Sequence, residues 1–272
     1  ADLATSLDHV GPLAPDVETA AQVLEAINGP DPRDPSTQGA RTPAPTDGLG
    51  ADVDGASIGL VTEARRGADE DVAATIDRVA DDLEDAGATA EEVSLPDFDT
   101  QGIVNATVTA AEFTTLAAGA GQDYGVGTGY SEAWREAMAS MPGDDLGENV
   151  RARLVVGRAL TTADGGAGYV AAQNARREFR EVVADRLDSH DALVLPTTPM
   201  TAPEFGAVDD DAALLRTIAN TGPFNLTGNP ALSVPLDAGA DGEGDPVGCQ
   251  IVTDWYDEAT AVALGRAVEA AG

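Results

Sequence analysis

The most constraining stretch of the chain runs from residue 192 to residue 252: ALVLPTTP, then GPFNLTGNPALSVP, then GDPVGCQIV. It reads as three short strands, each running into a loop rich in Gly, Pro and Thr. The apolar runs at 192–195, 232–234 and 247–252 do not alternate with polar residues. Both faces of each strand are therefore expected to be buried, as in the central sheet of an α/β domain. Loops at the ends of such strands are where α/β proteins bind small molecules.

Upstream, Val17, Ala20, Ala21, Leu24 and Ile27 recur at helical spacing, with Asp16 placed to cap the helix and Gly29 to stop it. Residues 30–55, rich in Pro, Asp, Gly and Thr, read as a long surface connection. A strand at 57–61, a helix through Val72, Ile76, Val79, Ala80 and Leu83 ended by Gly87, and a strand at 89–95 make a βαβ unit. Residues 101–190 look mainly helical, with breaks at 119–129, 142–147 and 164–168. The longest helix spans about residues 169–187, with Ala172, Phe179, Val182 and Val183 on its apolar face and Arg176, Arg177 and Arg180 elsewhere. A last helix is expected over about 258–270. The reading is α/β, a mixed central β-sheet flanked by helices, with one domain over residues 1–272 as the simplest count.

Acidic residues number 48 against 15 basic, and the basic ones are all arginine, for a net charge of −33. Such a surface repels itself in dilute salt. At molar salt the screening length falls to roughly 3 Å and the repulsion fades, so the composition suggests the salt-filled cytoplasm of a halophile. No basic stripe suits a nucleic-acid groove. No apolar run reaches membrane-spanning length and no signal peptide opens the chain, so a soluble cytoplasmic protein is expected. The chain begins with alanine, as a processed or excised piece would.

Ser189-His190-Asp191 spells a catalytic triad along one dimension only, because adjacent side chains do not face one another in a helix or strand. A plain loop before the strand at 192–195 is the better reading. His9 is expected to support a turn, and Cys249, inside a buried strand, to act as a small core hydrophobe. Two histidines and one cysteine far apart make no usual zinc site. The glycines of residues 119–129 lack the order of a phosphate-binding loop and read as a helix connection. No metal or cofactor is implied.

Three ordered blocks carry a family resemblance: Leu195 to Pro199 (LPTTP), Phe224 to Pro235 (FNLTGNPALSVP) and Pro246 to Val252 (PVGCQIV). With SLDHVGP from Ser6 and SIGLVTEARRG from Ser57, they resemble the amidase signature enzymes, serine amidohydrolases, over nearly the whole chain. The resemblance implies a carboxylic amide hydrolysed to acid and ammonia through an acyl-serine intermediate. It also implies that the family's two catalytic serines and lysine lie upstream of this sequence, which contains no lysine. On that reading the chain is a C-terminal portion that supplies fold and substrate pocket, paired with another copy or with a missing N-terminal half. A non-catalytic remnant or interaction module is one alternative. Another is the amidase-type component of a tRNA-dependent glutamine amidotransferase, but that subfamily carries an acidic residue shortly before the Asn-Leu-x-Gly turn, where this chain reads Ile218-Ala219-Asn220-Thr221.

The resemblance places Thr197, Thr198, Thr221, Gly222, Phe224 and Tyr124 against a small-molecule amide, Gly222 to Phe224 making the acyl pocket apolar. Equally, these threonines can serve only to satisfy the backbone of irregular turns. The charge balance yields a first prediction: the thermal midpoint of the chain rises with potassium chloride toward molar concentrations. A midpoint that stays flat or falls across the salt series would remove the halophile reading.

Overall fold

The computed structural model describes the chain apart from residues 1–2, 33–36, 38, 119–139, 141–145, 209–210 and 239–243. In chain order its elements begin with helix α1 (Val17–Ile27), strand β1 (Ser57–Val61), α2 (Thr62–Arg66), α3 (Glu70–Asp85), β2 (Thr89–Val93) and α4 (Gln101–Ala118). There follow α5 (Glu148–Thr162), α6 (Ala167–Leu187), β3 (Ala192–Pro196), α7 (Asp211–Thr217), α8 (Gly222–Thr227), β4 (Ala231–Asp237), β5 (Pro246–Val252) and α9 (Glu258–Ala271). Two compact units divide these elements. One comprises Gly11–Asn28, Thr42–Gly102 and Glu178–Gly272; the other comprises Ala1–Val10, Gly29–Arg41 and Ile103–Arg177.

The first unit carries a five-stranded mixed sheet in the order β2-β1-β3-β5-β4. Strand β1 runs parallel to β2 and β3, and β5 runs antiparallel to β3 and β4. The β1–α3–β2 crossover is the βαβ unit read from the sequence, with α3 seating Val72, Ile76, Val79 and Leu83. Central strand β3 is buried along its whole length because it alternates between two cores. Ala192 and Val194 pack with Ile76, Leu83 and Leu264 beneath α3 and α9. Leu193 and Leu195 pack with Phe98, Phe179, Val183 and Phe224 on the other face.

Strand β4 departs from the expected burial on both faces. Val234 and Leu236 point into the core, while Ala231, Ser233, Pro235 and Asp237 are exposed. It is the last strand in the sheet order, so an alternating pattern suffices there. The surface connection at 30–55 is also more anchored than its composition suggests. Pro45 and Gly48 are buried, and a Cβ at Gly48 would collide with the Ala259 carbonyl of α9. Asp16 caps α1 as expected, accepting from Thr19 N at 2.7 Å.

In the second unit α5 crosses α4 at Gly157, where a Cβ would strike the Ala110 carbonyl and the Thr114 hydroxyl. Glu112, only 2% exposed, accepts from Ser6 N at 3.0 Å, Ser6 Oγ at 2.6 Å and Tyr169 Oη at 3.0 Å. Arg176 donates to Ser6 Oγ and to the Ser6 carbonyl, each at 2.8 Å. This network gives Arg176 the role that helical spacing alone left unassigned. The glycines of residues 119–129 and most of the break at 142–147 lie outside the described residues.

No helix among the described residues is long and apolar enough to cross a membrane. Phe179, 2% exposed and 6.4 Å from the Phe98 ring, joins α6 to the sheet. Its replacement by alanine is expected to cost about 3–5 kcal/mol, measured by chemical denaturation at constant salt. A loss below about 1 kcal/mol, the size of a surface substitution, would show that this core relaxes around the gap.

Candidate functional site

The loop after β3 meets the first half of β5 at one end of the sheet. At the last residue of β3, Pro196 pairs with Cys249, and the next backbone amide, Thr197 N, donates to Gly248 O at 2.7 Å. The Thr197 and Ser233 hydroxyls share a hydrogen bond of 2.6 Å. They can do so because residue 248 is glycine: a Cβ there would lie 2.5 Å from Thr197 Oγ1 and 2.7 Å from Ser233 Oγ.

Beneath them lies a buried polar relay. Gln250 Nε2 donates to the Asn220 carbonyl at 3.0 Å, and Asn220 Nδ2 donates to the Pro196 carbonyl at 2.8 Å. Both side chains are buried. The relay ties the segment before α8 to the end of β3. Further along the loop, Thr198 Oγ1 donates to Met200 O at 2.8 Å, and Asp69 N donates to Pro199 O at 2.8 Å. Arg216 on α7 bonds Asp69 at 2.6 Å.

Of the residues expected at a substrate, Thr197 and Thr198 stand half-buried on this loop. Thr221 is half-buried, its hydroxyl directed to Ile218 O at 3.4 Å, and Gly222 is buried as the first residue of α8. Phe224 is in the core, 2% exposed, its ring 6.3 Å from Phe98. Tyr124 lies outside the described residues. The loops are thus brought together by Gln250, Asn220, Ser233 and Gly248, which the sequence reading did not single out. Gln250 did carry a signal: it is the one polar side chain in the buried run 247–252, and a buried amide needs a partner.

The other candidates are structural. His190 Nδ1 sits 2.8 Å from Arg186 O and its Nε2 2.8 Å from Glu91, while Asp191 accepts from Ser57 N, so the histidine and the aspartate are committed to separate partners. His9 bonds Leu7 O within its turn. Burial pushes the Cys249 thiol up to about 12, so it is no thiolate near neutrality. Among the described residues no cluster of His, Cys, Asp or Glu is arranged to hold a metal ion. A cavity of about 350 Å³ opens near the starts of β1 and β3, lined by Asp47, Asp52, Asp54 and Asp191. It lies at the opposite strand ends from those where α/β sheets bind ligands.

Comparison with known proteins identifies the family. The Amidase family model matches residues 1–262. A glutamyl-tRNA(Gln) amidotransferase subunit from Natronomonas pharaonis is 38% identical over 97% of this chain and 63% of that protein. The crystal structure of the same-named subunit from Thermotoga maritima superposes with a TM-score of 0.75 at 26% identity, covering 98% of this chain and 53% of that one. A chain from a vestigial protein complex, described in connection with the origins of an s-triazine catabolic enzyme, gives 0.81 at 25% identity, covering all of this chain and 55% of that one. The chain therefore spans less than two thirds of these relatives.

The geometry predicts an order of mutational cost. Asn220→Ala unseats a buried carbonyl and should cost about 1–3 kcal/mol, while Thr198→Ala should cost about 0.5–1.5 kcal/mol. Phe224→Asp forces a carboxylate into the aromatic core and should cost several kcal/mol. Urea midpoints at fixed salt test the ranking, and a Phe224→Asp chain as stable as the parent would place the ring outside the core.

Proposed function

The chain belongs to the amidase family, and from that premise we propose that it is the C-terminal portion of an ammonia-releasing subunit of a glutamyl-tRNA(Gln) amidotransferase. The observation that carries this reading is the 38% identity across 97% of the chain to a protein of that name. In it the loop of Thr197 and Thr198, with the segment Thr221 and Gly222, forms the wall on the acyl side of the amide. The buried Gln250–Asn220–Pro196 relay keeps that wall in place from below. The serine nucleophile and the lysine base belong to the part of the relatives' length that this chain does not span. A chain without lysine offers no base of that kind. That its relatives are named as subunits favours work alongside other chains.

One observation favours a second reading, a general amidase for neutral or apolar amides. The amidotransferase subfamily resembled here uses an acid before the Asn-Leu-x-Gly turn to hold the amino group of glutamine, and this chain has Ile218 to Thr221 there. Without that acid, glutamine loses a charged contact, whereas an uncharged acyl group loses nothing.

The test is ammonia release by the intact encoded protein, purified in molar salt, from glutamine and from a series of aliphatic and aromatic amides. The amidotransferase reading predicts glutamine as the best substrate. A specificity constant for a neutral amide about tenfold above that for glutamine, roughly 1.4 kcal/mol in the transition state, would replace it with the second reading. Residues 1–272 alone are expected to release no ammonia above background. Turnover by this segment, lost on mutating one of its own serines, would overturn both.

A further inference from the structure

The arginines of this chain are few, and the structure shows how the described ones are used. Arg65 pairs with Asp77 and Glu92, Arg66 with Asp99, Arg216 with Asp69 and Arg266 with Glu269, while Arg180 donates to the Thr227 carbonyl. Among the described residues, the three arginines whose guanidinium groups have no partner are Arg151, Arg153 and Arg158, all on α5. That helix holds one acid against three arginines, in a chain of net charge −33. Its local charge is the reverse of its surroundings.

Spacing sorts these residues. Positions three and four apart share a helix face, so Arg151, Val155 and Arg158 form one outward row. All three are exposed, Val155 at 70%, and Val156 beside it is 51% exposed. Arg153, two positions from Arg151, is half-buried and lies off that row. The opposite side of α5 is fixed, since Gly157 sits against the backbone of α4. The row is therefore a rigid strip with two cations flanking an apolar centre.

We propose that this face of α5 docks a segment of a different protein chain that presents carboxylates on either side of an apolar side chain. A second copy of this chain is a poor occupant, because a two-fold contact of α5 on itself sets arginine against arginine. Nucleic acid fits less well, because exposed valines between the cations meet no apolar partner on a phosphate backbone and the rest of the surface repels it. At molar salt the long-range repulsion of an acidic partner is screened within roughly 3 Å, while ion pairs in direct contact persist. The inference concerns partner choice and stands under either reading of the amide chemistry.

The test uses the intact encoded protein and two fluorescent helical peptides at molar potassium chloride. One carries glutamates about a leucine with the spacing of the α5 row, and the other has lysines in their place. The acidic peptide is expected to bind. R151E/R158E should weaken it by about tenfold or more and should instead bind the lysine peptide, a charge swap that general unfolding cannot produce. R151Q/R158Q, checked by circular dichroism, gives the loss without reversal should the double reversal unfold. Failure of the acidic peptide to bind, or equal binding of both peptides, overturns the proposal. So does displacement of the peptide by an oligouridine RNA, or self-association in sedimentation that R151E/R158E abolishes.

Discussion

Burial of β3 on both faces is the constraint from which the rest of the structure follows. A strand with no polar face must be covered twice, so α3 and α9 lie over Ala192 and Val194, and the Phe98–Phe179–Phe224 group lies over Leu193 and Leu195. At roughly 25 cal/mol per Å² of apolar surface, such two-sided burial outweighs any single polar contact in the unit. The strand also has neighbours of opposite sense: β1 runs parallel to it and β5 antiparallel. That switch brings the start of β5 to the end of β3, and so places Gly248 beside Thr197.

The loop cluster inherits its rigidity from that arrangement. Its hydroxyls are not held by one another alone, since Thr197 is seated by Gly248 and Pro196 is gripped by Asn220, which Gln250 holds in turn. A polar surface backed by buried amides holds its hydroxyls at fixed positions. Phe224 contributes one step removed, as part of the core on which α8 rests.

Much of this was legible in the sequence. Helices α1 and α3 follow from apolar spacing, because each buries one face and periodicity reports faces, while strand β1 follows from a short apolar run that is buried on both faces. The edge status of β4 was not legible, since a run such as Leu232 to Val234 reads alike in a central strand and in one with a bare side. Nor were the long-range polar contacts. The Glu112–Ser6–Arg176 network joins residues far apart in sequence, and no local pattern marks it. Gln250 was the exception, because a lone amide in an apolar run has to be satisfied somewhere.

The acidic surface changes what an unpaired charge means. In a chain with balanced charges a free arginine is unremarkable, because exposed ion pairs contribute little and many cations go without them. Here acids outnumber bases by about three to one, so a cation placed at random on the surface tends to meet a carboxylate, as Arg65 meets two. Keeping Arg151 and Arg158 clear of the carboxylates of the described residues is helped by a helix nearly free of acids, which α5 is. The exposed Val155 between them carries a cost of its own, since apolar surface left in water is driven toward contact. Charge and hydrophobicity therefore depart from the rest of the surface at the same few residues, and a partner that supplies carboxylates around an apolar side chain satisfies both at once.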